Sequence, residues 1–219
     1  MNDNLCKACG KKTTEIVDFG EFPLVNDFRK KNKKSLLFRL QLVVCEYCWC
    51  FQIADTPSIE SLYTIYKHRS NASSGNIIHL ESFFKFLEKE FNLNRDDLIL
   101  EIGCNDGSLL NIFQKNGFKN YYGIDPARNL NQNNKNIFIN FFNQEFVDDF
   151  VGNHGNCKFI IGLNVFAHNP NIIDFFSSVK KMLSDDGVFV FEVAYVFKTV
   201  LSGVFDTVYH EHVFNWSLT

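Results

Sequence analysis

The sequence predicts a doubly wound α/β domain with a mostly parallel sheet, preceded by a small metal-binding module. Three observations carry that expectation. Apolar runs with strand character alternate with helix-length amphipathic segments from residue 98 onward. A glycine-bracketed turn, EIGCNDG, follows the first of those runs. Two Cys-x-x-Cys pairs stand ahead of them, Cys6/Cys9 and Cys45/Cys48.

The 219 residues suffice for one ordinary domain plus a small module. With 46% hydrophobic residues, 25 of them Phe, the chain can bury a sizeable core, which excludes a disordered protein. A formal charge of −3 gives no global bias toward nucleic acid or membrane surfaces. The basic run RKKNKK at 29–34 reads as a solvated loop. The opening MNDNLCKACG has no apolar stretch for a signal peptide, and no run of about 18 apolar residues occurs. Seven cysteines without a secretion signal suit a reducing compartment, so the expected location is cytoplasmic.

Residues 1–55 form the first expected unit. A Cys-x-x-Cys knuckle turns two thiolates from one tight turn toward one metal. Two knuckles complete the four soft ligands of a structural zinc ion, Cys6, Cys9, Cys45 and Cys48. Four protein ligands leave no open position, so the site is structural, and metal binding supplies much of the module's stability. Cys50 is a spare thiol close by. Strand character appears in LFRLQLVV at 37–44.

Residues 56–76 read as a connecting loop that lies over a cleft; the stretch SLYTIYKHRSNASSGN at 61–76 is rich in Tyr, then in Ser, Asn and Gly. Residues 77–219 form the second expected unit. It opens with an amphipathic helix over 78–91 that places Leu80, Phe83, Phe84, Leu87 and Phe91 on one face. Strands are expected at 98–103, 120–125, 136–140, 158–164 and 188–193, with helices clearest at 106–116 and 171–184. Right-handed crossovers then place a ligand crevice at the strand carboxyl ends.

A dinucleotide fingerprint wants glycines at 103, 105 and 108, but only Gly103 is present, with Asn105 and Ser108 at the others. Asn tolerates a left-handed backbone, so Asn105 keeps the turn. Asp106 at a helix N-terminus repels a pyrophosphate. S-adenosylmethionine carries an ammonium and a sulfonium and no phosphate, so Glu101 and Asp106 suit it. Asp125, ending the second strand, is placed to accept both ribose hydroxyls. The expected donor site is thus Glu101, Gly103, Asn105, Asp106, Gly107 and Asp125, with Asn164 after the fourth strand.

These residues resemble a family. The paired Cys-x-x-Cys, LEIGCNDGSLL, GIDP, NVFAHNP and FDTVYHEHVF together resemble the zinc-containing C-methyltransferases that act on nucleotide-diphosphate keto-deoxysugars. The resemblance covers nearly the whole chain. It implies a zinc module ahead of a Rossmann-like, class I S-adenosylmethionine-dependent methyltransferase domain, with a nucleotide-sugar substrate. It assigns base chemistry to the segment Tyr209 to His212, helped by His168. Family members continue with further strands and a C-terminal domain. The methyltransferase domain is therefore expected to be incomplete here, the remainder being absent or encoded separately.

Carbon methylation explains the cluster. A proton must leave a carbon beside a ketone, which needs a base and a donor for the enolate oxygen. Tyr209 or His212 is the expected base, Glu211 orients the histidine, and His168 polarises or protonates the keto oxygen. His210 reads as structural. Two other readings compete: His210 and His212 as metal ligands with His168, or polar residues satisfying a loop. At the level of function the alternatives are a methyltransferase for RNA or another small molecule, and a non-catalytic donor-binding remnant. The acidic net charge argues against nucleic acid.

Overall fold

The computed structural model describes residues 5–25, 34–130, 134–204 and 206–217. The basic run lies outside the described residues except for Lys34. The chain divides into two compact units. One comprises Met1–Leu62, Asn164–Ile173 and Val193–Thr219; the other comprises Tyr63–Leu163 and Asp174–Glu192.

The first unit is built on an antiparallel sheet of four strands: β1 (Thr13–Pro23), β2 (Leu37–Cys45), β3 (Phe51–Ile53) and β9 (Phe214–Asn215), in the order β1-β2-β3-β9. Its strands are rich in β-branched and aromatic residues, which suit a pleated surface. Its small core gathers Leu40, Ile53 and Val208, with Phe19 and Leu42 packed on it. Val208 and Phe214 belong to the segment expected in the methyltransferase domain, yet β9 pairs with β3 through Phe51↔Asn215 and Gln52↔Phe214. The expected 1–55, 56–76 and 77–219 are continuous stretches of sequence, whereas each compact unit gathers separate stretches. A two-residue strand has no visible period, and its partner lies some 160 residues away.

The second unit holds a five-stranded, wholly parallel sheet: β4 (Ile99–Ile102), β5 (Tyr121–Ile124), β6 (Ile137–Phe138), β7 (Cys157–Leu163) and β8 (Leu183–Glu192). Its order is β6-β5-β4-β7-β8. The chain steps outward from β4 in one direction, then returns to the other side of β4, which makes the doubly wound topology and its switch point. All five expected strands are present. β8 begins five residues earlier than expected and carries an irregularity between Cys157 and Phe159 of its partner.

After the one-turn helix α1 (Ile59–Tyr63), the expected amphipathic helix is α2 (Ser74–Phe91), ended by Asn92 in a left-handed conformation. Leu80, Phe84 and Leu87 are buried, and Phe83 and Phe91 pack beside them. They meet Phe113 from α3 (Ser108–Lys115), Phe118, and Ile99, Phe159 and Ile161 from the sheet. Phe84, Phe113 and Phe118 contact one another edge to face, with centroids 5.0–5.9 Å apart. Burial of each such side chain contributes about 1.5–3 kcal/mol. Helices α4 (Gln144–His154) and α5 (Ile172–Met182) also flank the sequence of the sheet strands. Asn143 caps α4 through its side chain. Among the described residues, no helix is long and apolar enough to cross a membrane.

Candidate functional site

The metal cluster forms because two tight turns meet at the β1–β2 ladder. In the first, Gly10 N donates to Cys6 O at 2.8 Å and Cys6 N to Lys11 O at 2.7 Å, with Gly10 at φ 70°. In the second, Trp49 N donates to Cys45 O at 2.8 Å, with Trp49 at φ 57°. Thr13 pairs with Cys45, which carries one knuckle to the other. The sulfurs of Cys6 and Cys48 lie 3.6 Å apart, those of Cys9 and Cys45 3.5 Å, and all four fall within 4.8 Å. A tetrahedron with Zn–S bonds of about 2.3 Å has S···S edges of about 3.8 Å, so the four thiols fit zinc. Burial raises the Cys45 thiol, but backbone N–H groups of Cys48 and Tyr47 together with the Cys9 and Cys48 thiols bring it down to about 7, while the neighbouring Cys9 and Cys48 thiols are raised. A thiolate is what a metal ligand requires. Cys50 stands outside the cluster, its thiol held up at about 12 by burial.

In the second unit, β4 runs into a turn that needs three left-handed residues in five: Gly103 at φ 67°, Asn105 at φ 51° and Gly107 at φ 74°. Gly107 is required by its left-handed backbone; a Cβ there would also sit 2.9 Å from Ile137 Cδ1, the movable end of that side chain. Asp125 Oδ2 accepts from Asn105 N and its Oδ1 from Ala127 N, both at 2.9 Å, which ties the ends of β4 and β5 together. Burial raises the Asp125 carboxyl, opposed by those two N–H groups. Asp106 is occupied locally: Oδ1 accepts from Ser108 Oγ at 2.5 Å and Oδ2 from Asn71 N at 3.0 Å. Glu101 is 5% exposed, and its Oε2 has no hydrogen-bond partner. Burial drives its carboxyl well above the ordinary range, and Asp125 and Asp106 add to the effect.

The connecting loop lies across this turn. Ser70 N donates to Asn105 Oδ1 at 2.9 Å, and Asn105 Nδ2 donates to His68 O at 3.1 Å. Asn105 thus keeps the turn and holds the loop, a double role that residue type alone does not reveal.

The remaining site residues belong to the first unit. Asn164, at φ 54°, is there too, so it is grouped apart from the other six donor-site residues. His168 ends a short 3-10 turn, Phe166–His168. Its ring meets that of His212 at 77°, with centroids 4.9 Å apart. Tyr209 Oη lies 2.8 Å from His212 Nε2, and His212 Nδ1 lies 2.7 Å from the Thr207 carbonyl. A carbonyl only accepts, so Nδ1 carries the proton and Nε2 accepts from the Tyr209 hydroxyl. The Thr207 carbonyl orients the His212 ring through Nδ1, a contribution beyond the one expected of Glu211. A backbone group has no side-chain signature, so nothing in the sequence marks it. His210 is 1% exposed, with Nε2 3.1 Å from Phe38 O, which is the structural role expected of it.

Burial sets the charges here. It takes His168 down to about 3, helped by the nearby His212, and opposed by hydrogen bonds to the backbones of Asn164 and Glu211. It lowers His212 and raises Tyr209 to about 12, with Glu211 adding to the latter. All three are neutral near pH 7. The arrangement is a phenol donating to a buried imidazole whose other nitrogen is fixed, a pair able to accept one proton.

Comparison with known proteins divides the chain along the sequence, unlike the compact units. A family model described as "Methyltransferase domain" matches residues 78–214, well over half of the chain. The chain belongs to this methyltransferase family. A second model, described as "Putative zinc binding domain", matches residues 6–63 and includes all four clustered cysteines. The C-methyltransferase NovU of Streptomyces niveus is 29% identical over 221 residues, covering 97% of this chain and 52% of that protein. The chain therefore spans about half the length of this curated relative. Among solved structures, the plantazolicin methyltransferase BpumL with a pentazolic desmethylPZN analog and SAH aligns with a TM-score of 0.46. Its identity is 17%, over 65% of this chain and 55% of that one. Magnesium protoporphyrin IX methyltransferase (ChlM) from Synechocystis PCC 6803 with bound SAM gives 0.40 at 20% identity, over 50% and 55%.

Proposed function

We propose that this chain is the zinc-bearing, donor-binding part of an S-adenosylmethionine-dependent C-methyltransferase acting on a nucleotide-diphosphate keto-deoxysugar. The observation that carries the reading is the Tyr209–His212 pair. A hydroxyl acceptor needs little activation, whereas a carbon acceptor must first lose a proton, and this pair is built to take one. The likeness to NovU, a C-methyltransferase, supports carbon as the acceptor. A cytoplasmic location fits seven cysteines none of which is in a disulfide.

The glycine turn suits the donor. Asp125, whose two oxygens each already accept one backbone N–H, is in this reading the ribose ligand, and the unpartnered oxygen of buried Glu101 suits a cationic group such as the donor's ammonium. Gly103, Asn105 and Gly107 shape the backbone, and Asp106 acts through Ser108 and the overlying loop. In this reading Asn164 supports the site by positioning the segment that carries His168. When bound, the donor supplies an electrophilic methyl on sulfur.

The chain's own residues manage the proton. Tyr209 Oη takes the hydrogen from the carbon beside the ketone, while its own O–H proton passes to His212 Nε2 across 2.8 Å. The C–H electron pair moves into the new carbon–carbon double bond, and the carbonyl pair moves to oxygen. Tyr209 ends neutral, and His212 ends as an imidazolium whose Nδ1–H stays on the Thr207 carbonyl. His168, neutral at pH 7 and engaged with the backbones of Asn164 and Glu211, polarises the keto oxygen by turning its one N–H from a backbone carbonyl to the substrate, and is too weak an acid to protonate it. Its neutrality also spares His212 a like charge beside it. Glu211 disfavours a standing phenolate at Tyr209, which keeps the proton there until it is relayed.

The test is hydrogen exchange without methyl transfer. A 4-keto-deoxysugar nucleotide in heavy water should gain deuterium beside the ketone in the presence of the protein. A C-terminal portion of the kind that completes the relative belongs in the assay as a partner. No exchange with that portion present would leave a donor-binding remnant, and methyl appearing on oxygen would end the C-methyltransferase reading.

A further inference from the structure

The segment at 64–71 is held to the second unit at both ends. At one end Asn105 and Asp106 engage His68, Ser70 and Asn71, as described above. At the other, Arg128 N donates to Thr64 O at 3.0 Å. Asn129 closes a reciprocal pair there: Tyr66 N donates to Asn129 Oδ1 at 2.9 Å, and Asn129 Nδ2 donates to Tyr66 O at 2.7 Å. The segment thus bridges the loop after β4 to the loop after β5. Those are the carboxyl-end loops where a doubly wound sheet takes its ligand. Lys67, His68 and Arg69 within it are exposed, and Asn129 is exposed. An exposed asparagine gains little from folding unless its amide is used, and here both ends of the amide bind one residue 63 positions away.

We propose that residues 64–71 form a strap across the donor crevice, and that Asn129 is the latch governing how fast the donor exchanges. The inference rests on the donor reading above and adds a positioning residue to it. The Asn105 end is shared with the glycine turn, so releasing it would damage the turn itself. The Asn129 end touches the strap alone through its side chain, which makes it the end that can open while the cradle stays intact. Opening governs entry and exit alike, so loosening the latch raises both rates and leaves the affinity nearly constant.

Asn129→Ala tests this in the full chain with S-adenosylhomocysteine as the probe. Association and dissociation rates, followed by stopped-flow fluorescence, should both rise about tenfold, as expected for losing a pair of hydrogen bonds. Kd should stay put. Simple damage to the site would raise dissociation and weaken Kd with association unchanged, and that outcome would overturn the latch. Asn129→Asp keeps the acceptor for Tyr66 N and loses the donor, so its rates should fall between. Trypsin supplies an arm without ligand: cleavage after Lys67 and Arg69, read by mass, should quicken in Asn129→Ala while the melting temperature holds. Equal cleavage in variant and wild type would overturn the latch alone. Failure of wild type to bind the probe would overturn the donor reading and this inference with it.

Discussion

The Tyr209 hydroxyl donates to His212 Nε2 at 2.8 Å, because the Thr207 carbonyl holds the other imidazole nitrogen in its protonated form. The direction of that hydrogen bond makes the two residues one base.

If they act as a unit, Tyr209→Phe and His212→Ala should each slow deuterium exchange by about 10²–10⁴-fold. The double variant should be little worse than the poorer single one. Additive losses would separate the two residues. His210→Ala should leave the exchange chemistry in place, since its ring serves Phe38 O.

The pH profile follows from the direction of the His212 shift. Burial lowers its pKa below the ordinary 6.5, so the neutral, proton-accepting form persists to lower pH than for a free imidazole. Exchange should therefore stay high through pH 6.5 and fall only on further acidification. A midpoint at or above 6.5 would contradict the buried, neutral pair.

Metal removal should act on the first unit. Zinc measured in protein purified without chelator should be one per chain and lost in Cys6→Ser or Cys45→Ser, while Cys50→Ser retains it. Chelation should unfold the β1–β2–β3–β9 sheet, seen as a loss of cooperative melting, because among the described residues the cluster packed on this sheet is small.

Asp125→Ala should weaken S-adenosylhomocysteine binding by about 1–3 kcal/mol, the range for hydrogen bonds to a charged group. Calorimetry giving equal affinities would remove the ribose assignment.

Glu101 offers a stability test with a definite sign. Its folded pKa lies above the ordinary 4.5, so the fold binds this proton more tightly than the unfolded chain does. The ligand-free protein should lose stability as pH rises from 4.5 through the raised value. Glu101→Gln should accordingly melt higher than wild type at neutral pH, and bind the donor more weakly because the cation loses its carboxylate. A variant that melts lower would show that the buried carboxyl is satisfied in the fold.

Much of this was legible in the residues. Apolar runs between 98 and 193 announced all five parallel strands, because strands buried on both faces cannot avoid a continuous apolar composition. The stripe at Leu80, Phe84 and Leu87 announced α2. Left-handed Asn105 followed from the turn it occupies. Less legible were β1, whose polar, half-exposed sequence has no strict alternation, and β9, which is two residues long.

The sequence by itself determined the parallel sheet, the two knuckles and the chemical identity of the site residues, since those depend on local period, spacing and residue type. Only the tertiary structure decided that Cys50 stays out of the cluster, that the Thr207 carbonyl holds His212 Nδ1, and that Asn105 and Asn129 hold the loop at 64–71. It also joined Phe214 to a strand near residue 52. Each of these rests on a backbone carbonyl, an amide or a strand partner far along the chain. Every residue carries the same backbone groups, so only folding selects which of them meet.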